Sequence, residues 1–146
     1  MEMAQRPKVA VVDASVVTKW FKDEAHTDRA LALRDDWVAG EVALHTVELL
    51  IYEALNALRY DKDQTGETLR RAAVNLCDYP FRFIPLAEIA ERTTENALRY
   101  GISVYDASYL SAGERLGAPV YTADEKLISR VGGDTLRNIA EYTTPQ

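Results

Sequence analysis

Four acidic side chains, Asp13, Glu53, Asp106 and Asp124, stand where a fold could gather them for one task. Asp13 ends the apolar run Val9–Val12, and Asp124 lies just past the strand-like stretch Pro119-Val120-Tyr121-Thr122. Asp106 completes an S-x-x-D helix-start signal with Ser103. Glu53 sits at the edge of an apolar helical stripe, with Leu49 and Leu50 one turn below and Ala57 one turn above. Taken singly, each aspartate reads as a helix cap and the glutamate as a solvated surface residue. Taken together they say more. Two aspartates end strands, while Glu53 and Asp106 flank apolar helix faces that should pack on the same sheet. Leu110 and Gly113 share the face of Asp106, so that face can approach the sheet closely. Four converging carboxylates repel one another and raise pKa values unless cations offset them. An oxygen-only donor set suits Mg²⁺ or Mn²⁺ rather than zinc. Such a cluster can activate water and stabilise charge at a phosphodiester.

The elements that would position these residues follow from apolar periodicity. Val9–Val12 is continuous, the pattern of a strand covered on both faces. A short helix is expected over Ala14–Phe21, a longer one over Thr27–Val38 closed by Gly40, and a strand at Val42–Leu44. Thr46 is expected to open the clearest helix, with Val47, Leu50, Ile51, Ala54, Leu55 and Leu58 on one stripe. After the polar connection Asp61–Gly66, helix Glu67–Asp78 turns Leu69, Ala72, Ala73 and Leu76 inward and ends before Pro80. Phe81–Ile84 alternates as a strand does. The charged helix Ala87–Tyr100 is expected to place Ile89, Ala90, Ala97 and Leu98 on its apolar face, and Gly101 stops it. A helix from Ser103, ended by Gly117 in a left-handed conformation, leads to the strand before Asp124. A short helix at Glu125–Val131 and an edge strand at Thr135–Ile139 close the series. Strands alternating with helices predict an α/β domain with a mainly parallel sheet between helical layers. Ligands in such sheets gather beyond the carboxyl ends of the strands, where Asp13 and Asp124 arrive.

The 146 residues suffice for one domain (1–146), with residues 1–7 expected as a flexible N-terminus and 141–146 as a C-terminal tail. No apolar run approaches the roughly 20 residues of a bilayer span, and Val9–Val12 is too short for a signal peptide core. A single cysteine, Cys77, excludes an internal disulfide framework and fits a reducing cytoplasm; it reads as a buried or incidental thiol. The net charge of −6 argues against nonspecific binding to duplex nucleic acid, but not against an acidic centre inverted by cations. His26 and His45 are far apart and without ligand-spaced partners, which disfavours zinc. Trp20 and Trp37 read as core. Arg70, Arg71, Arg99, Lys126 and Arg130 read by default as solvated charges.

The chain resembles PIN-domain ribonucleases, above all the single-domain VapC-type toxins of VapBC toxin–antitoxin pairs. The matching pieces are VVDASV (Val11–Val16), YEALNAL (Tyr52–Leu58), VYDASYLSAGERLG (Val104–Gly117) and VYTADEKL (Val120–Leu127). YDASYL followed at this distance by TADEKL is the specific part; VVDAS alone is weak. The resemblance implies a three-layer α/β/α PIN-like fold with Asp13, Glu53, Asp106 and Asp124 as catalytic and metal-binding residues. It implies Ser15 and Thr122 as supporting hydroxyls, and Asn56 matches a recurrent position. It further implies a Mg²⁺- or Mn²⁺-dependent endoribonuclease leaving a 5′-phosphate and a 3′-hydroxyl. An RNA substrate, a VapB-like antitoxin and a homodimer follow from the same resemblance, while the cytoplasmic location is expected from the cysteine usage.

Other readings lead elsewhere. An RNA-processing nuclease of the same type without an antitoxin fits the same motifs. An acidic-pocket binding module with little activity would use the site chiefly to receive a partner. A phospho-accepting receiver domain is also α/β with an acidic pocket. That last reading requires an adjacent acidic pair after the first strand, where Val12 precedes Asp13, and an aspartate after the third, which is missing.

Overall fold

The computed structural model describes residues 5–146, so most of the expected flexible N-terminus, residues 1–4, lies outside the described residues. Five strands form one parallel sheet in the order β3-β2-β1-β4-β5. They are β1 (Lys8–Val12), β2 (Val42–Thr46), β3 (Arg82–Phe83), β4 (Val120–Thr122) and β5 (Leu136–Asn138). The helices are α1 (Ala14–Val17), α2 (Thr27–Val38), α3 (Leu49–Arg59), α4 (Gly66–Asp78), α5 (Leu86–Tyr100), α6 (Val104–Leu116) and α7 (Glu125–Val131). The α/β/α arrangement is the one the periodicity predicts. β1 is central, with β2 on one side and β4 on the other, so successive crossovers diverge from its carboxyl end. That divergence opens a crevice of the kind in which open parallel sheets bind ligands.

Two boundaries differ from expectation for identifiable reasons. Thr46 does not cap the following helix; its buried hydroxyl donates to the Val12 carbonyl at 2.8 Å, which extends β2 and delays α3 to Leu49. The strand expected at Phe81–Ile84 shrinks to Arg82–Phe83, although the Ile84 amide still donates to the Thr46 carbonyl at 2.8 Å before Pro85 ends the pairing.

The α6 termini are as expected. Ser103 accepts from the Asp106 amide at 3.0 Å, and Gly117 takes φ +60°. α6 packs on β1, β2 and β4 through a face of small residues, and Gly113 is the tightest point. A Cβ there would collide with Val120 Cγ2 and stand 3.0 Å from the Ala118 carbonyl oxygen.

α5 corrects an expectation. Leu98 is 86% exposed and Ala90 is exposed; the inward positions are Ile89, Thr93 and Asn96. Asn96 Nδ2 donates to Ser111 Oγ at 3.0 Å and to Glu114 Oε1 at 2.5 Å, so a polar contact joins α5 to α6. Trp20, Trp37, Tyr79 and Phe81 pack as one aromatic cluster, with Trp37 and Phe81 centroids 4.7 Å apart. Cys77 is exposed rather than buried. The C-terminal tail starts later than expected: Tyr142 is 3% exposed and its hydroxyl donates to Asp36 Oδ2 at 2.5 Å. Among the described residues no helix is long and apolar enough to cross a membrane.

Candidate metal centre

Asp13 is the N-cap of α1. Its Oδ1 accepts from Ser15 Oγ at 2.5 Å and from the Val16 amide at 3.4 Å, while its own amide donates to the Tyr121 carbonyl at 3.2 Å. Asp124 caps α7, with Oδ1 accepting from the Leu127 amide at 3.0 Å. The expected capping roles are observed, and capping uses one carboxylate oxygen of each aspartate and leaves the second outside the cap. Ser15 joins the two strand ends. Its Oγ accepts from the Ala123 amide at 2.9 Å and lies 3.4 Å from Thr122 Oγ1, which in turn accepts from the Asp124 amide at 3.1 Å.

Asp106 enters from the first turn of α6, half-buried, where backbone amides favour a negative charge. Glu53 enters from α3, half-buried, and its Oε1 accepts from the Tyr109 hydroxyl at 2.6 Å. Tyr109 is a partner of Glu53 that motif reading missed. It lies three positions after Asp106, hence on the same helix face, and carries the one phenol in a run of otherwise small or aliphatic side chains from Ala107 to Gly113. Asn56 sits one turn beyond Glu53, exposed on the wall of an adjoining groove, and makes no hydrogen bond to the four carboxylates among the described residues.

The electrostatics couple Asp13 to Asp106 and Asp106 to Asp124. Burial pushes the Asp13 carboxyl up to about 6, against hydrogen bonds from Ser15, Thr122 and Val16 that lower it, with nearby Asp106 raising it further. Asp106 is raised by burial and then by the charge of Asp124. The Tyr109 phenol is pushed far above its ordinary value by burial, by its bond to Glu53, and by the charges of Glu53, Asp13 and Asp106. None of the four carboxylates forms an ion pair with Lys or Arg among the described residues. A buried, unpaired carboxylate with like-charged neighbours is the situation that a bound cation relieves.

Among the described residues no three Asp, Glu, His or Cys side chains stand close enough to grip one ion between them. The donor set nevertheless fits a hard divalent cation. Mg²⁺ commonly keeps several waters and takes only one or two carboxylates directly, so an open acidic edge suits it better than a closed cage does. Asp13, Asp106 and Asp124 are the residues that would hold it, with Glu53 completing the site. Of the basic residues, Arg71 is paired with Glu67 at 3.2 Å, Arg70 lines the groove beside Glu53, and Lys126 and Arg130 lie together on exposed α7.

Comparison with known proteins gives the family and the fold. The chain matches the PIN domain family over residues 10–134. It is 28% identical over 126 residues to Ribonuclease VapC3 of Pyrobaculum aerophilum, covering 82% of this chain and 92% of that protein. Its fold is similar to VapC20 of Mycobacterium tuberculosis, a sarcin–ricin loop cleaving toxin, at TM-score 0.65 and 19% identity over 88% of this chain and 98% of that one. It is equally similar to VapBC2 of Rickettsia felis, solved on a DNA fragment from its promoter, at TM-score 0.65 and 14% identity over 89% and 98%. At these identities the solved structures speak for the fold, whereas the family match spans most of the sequence. The chain belongs to the PIN-domain family.

Proposed function

We propose that the chain is a divalent-cation-dependent endoribonuclease and the toxin of a type II toxin–antitoxin pair. The observation that supports this reading is the buried Asp13 carboxylate at the end of β1, without an ion-pair partner among the described residues and under the charge of Asp106, which in turn feels Asp124 beyond β4. The identity to a curated ribonuclease supports RNA as the substrate. Bound at that edge, Mg²⁺ or Mn²⁺ supplies Lewis acidity at the scissile phosphate and a low-pKa source of hydroxide. The chain's own part is to bring Asp13, Asp106 and Asp124 to one edge of the sheet, with Ser15 and Thr122 joining the two strand ends and Glu53 flanking the edge from α3. The products are a 5′-phosphate and a 3′-hydroxyl.

The fold similarity to toxins solved with their partners, among them a toxin–antitoxin complex from Klebsiella pneumoniae, supports an antitoxin partner. A groove of about 750 Å³ between α3 and α4, lined by Leu49, Leu55, Leu69 and Ala73 and bordered by Glu53, offers a surface to an apolar antitoxin segment next to the acidic centre. The chain acts in the cytoplasm, as a homodimer.

The deciding experiment compares the wild-type chain with Asp13→Asn and Asp106→Asn on RNA in Mn²⁺ and in EDTA. Cleavage by the wild type in Mn²⁺, lost in EDTA and reduced at least 100-fold in both variants, is expected. Undiminished cleavage by either variant, or cleavage that survives EDTA, rejects the assignment.

A further inference from the structure

We infer that Tyr109 is a positioning residue for the cation site, acting through Glu53, with its hydroxyl holding that carboxylate turned into the centre. This inference rests on the metal-dependent reading above and assigns a role that the motifs do not contain.

The geometry is specific. Glu53 carries its carboxylate on three rotatable side-chain bonds from α3, while Asp13 and Asp106 stand on other elements of the same edge. Its half-exposed position leaves open a route by which the side chain can swing out to solvent. One strong contact opposes it, the Tyr109 hydroxyl donating to Glu53 Oε1 at 2.6 Å. Tyr109 is itself immobilised. It is 3% exposed, lies in the face of α6 that packs on the sheet, and sits within the buried run Ala107–Gly113. A rigid phenol can therefore fix a flexible carboxylate. Because the bond falls on Oε1, the second oxygen is left for a cation or its water. The contact also couples two elements, since Tyr109 and Asp106 share a face of α6; a displacement of α6 moves the aspartate and the glutamate's anchor together.

A buried tyrosine that merely finds an acceptor would show the same bond, so the test must separate positioning from packing. Tyr109→Phe removes only the oxygen and keeps the ring. Mn²⁺ affinity by titration calorimetry, thermal midpoint and cleavage rate are measured for wild type, Y109F, E53Q and the double variant. Positioning predicts Mn²⁺ affinity weakened about five- to tenfold in Y109F, a cleavage rate partly rescued by excess Mn²⁺, and no further loss when Y109F is added to E53Q. Mn²⁺ affinity unchanged in Y109F, or an equal additional loss in the E53Q background, overturns the inference. A wild-type chain that neither binds Mn²⁺ nor cleaves RNA fails differently: it overturns the metal-dependent reading and this inference with it.

Discussion

Ser15 is a small residue with three tasks at the strand edge. Its hydroxyl donates to Asp13, accepts from the Ala123 amide, and lies beside Thr122. The bond to Asp13 lowers a carboxyl that burial has pushed up to about 6. Ser15→Ala should therefore move the Asp13 carboxyl to higher pH, and the acid limb of the cleavage profile should shift upward with it. Leaving the Ala123 amide without its acceptor adds a stability loss of about 1–2 kcal/mol. A pH–rate profile superimposable on wild type would reject this account. At this scale the sequence was informative where a residue sits at an element's end. Asp13, Asp106 and Asp124 could be placed because strands and helix starts have compositional signatures, and Glu53 because its helix carries a clean stripe. Tyr109 was not legible that way, since an aromatic inside a buried helix looks like core until the structure shows what its hydroxyl touches.

α6 brings Asp106 and Tyr109 to the sheet, and Gly113 sets how near the helix can come. Gly113→Ala would drive a methyl into Val120 Cγ2, with the Ala118 carbonyl oxygen 3.0 Å and Thr135 Cγ2 3.2 Å from the same point. Two of these neighbours belong to, or adjoin, β4 and the strand beyond it, so relief requires the helix to move away. The expected cost is about 1–3 kcal/mol from overpacking, read as a lower thermal midpoint. Mn²⁺ affinity should fall as well, because Asp106 rides on the displaced helix; a destabilised variant with wild-type affinity would show that the site tolerates the shift. The closeness of this approach was foreseen from the spacing of Asp106, Leu110 and Gly113. The inner face of α5 was not, because Thr93 and Asn96 pack inward through shape and through hydrogen bonds to α6. Apolar periodicity is blind to a helix interface built on polar side chains, and it favoured Leu98, which faces solvent. Thr46 misled for a related reason. A local capping preference lost to a long-range bond with the Val12 carbonyl.

For the whole molecule, the acidic edge opposes folding when no cation is bound. Asp13 has an ordinary carboxyl value of 3.8 and a folded value of about 6. Below the lower value the side chain is neutral in both folded and unfolded chains and has no effect on stability. Between the two, the unfolded chain loses the proton while the folded chain keeps it, so the unfolded state binds fewer protons and stability falls as pH rises. Above about 6 the full effect is present, a destabilisation of about 3 kcal/mol if the shift is taken at face value. Asp106 is shifted in the same direction and adds to it. A cation that binds the folded chain offsets this by mass action, and protons compete with it for Asp13. Three results are expected from urea denaturation. The metal-free wild type should lose stability between pH 4 and pH 7 relative to Asp13→Asn, which lacks that titration. Asp13→Asn should be the more stable chain at pH 7 in EDTA. Saturating Mn²⁺ at pH 7 should reverse the order, stabilising the wild type and leaving the variant nearly unchanged. Parallel pH dependences for the two chains in EDTA would mean that Asp13 does not carry its charge at this energetic cost, and the electrostatic case for a cation at the end of β1 would fall with it.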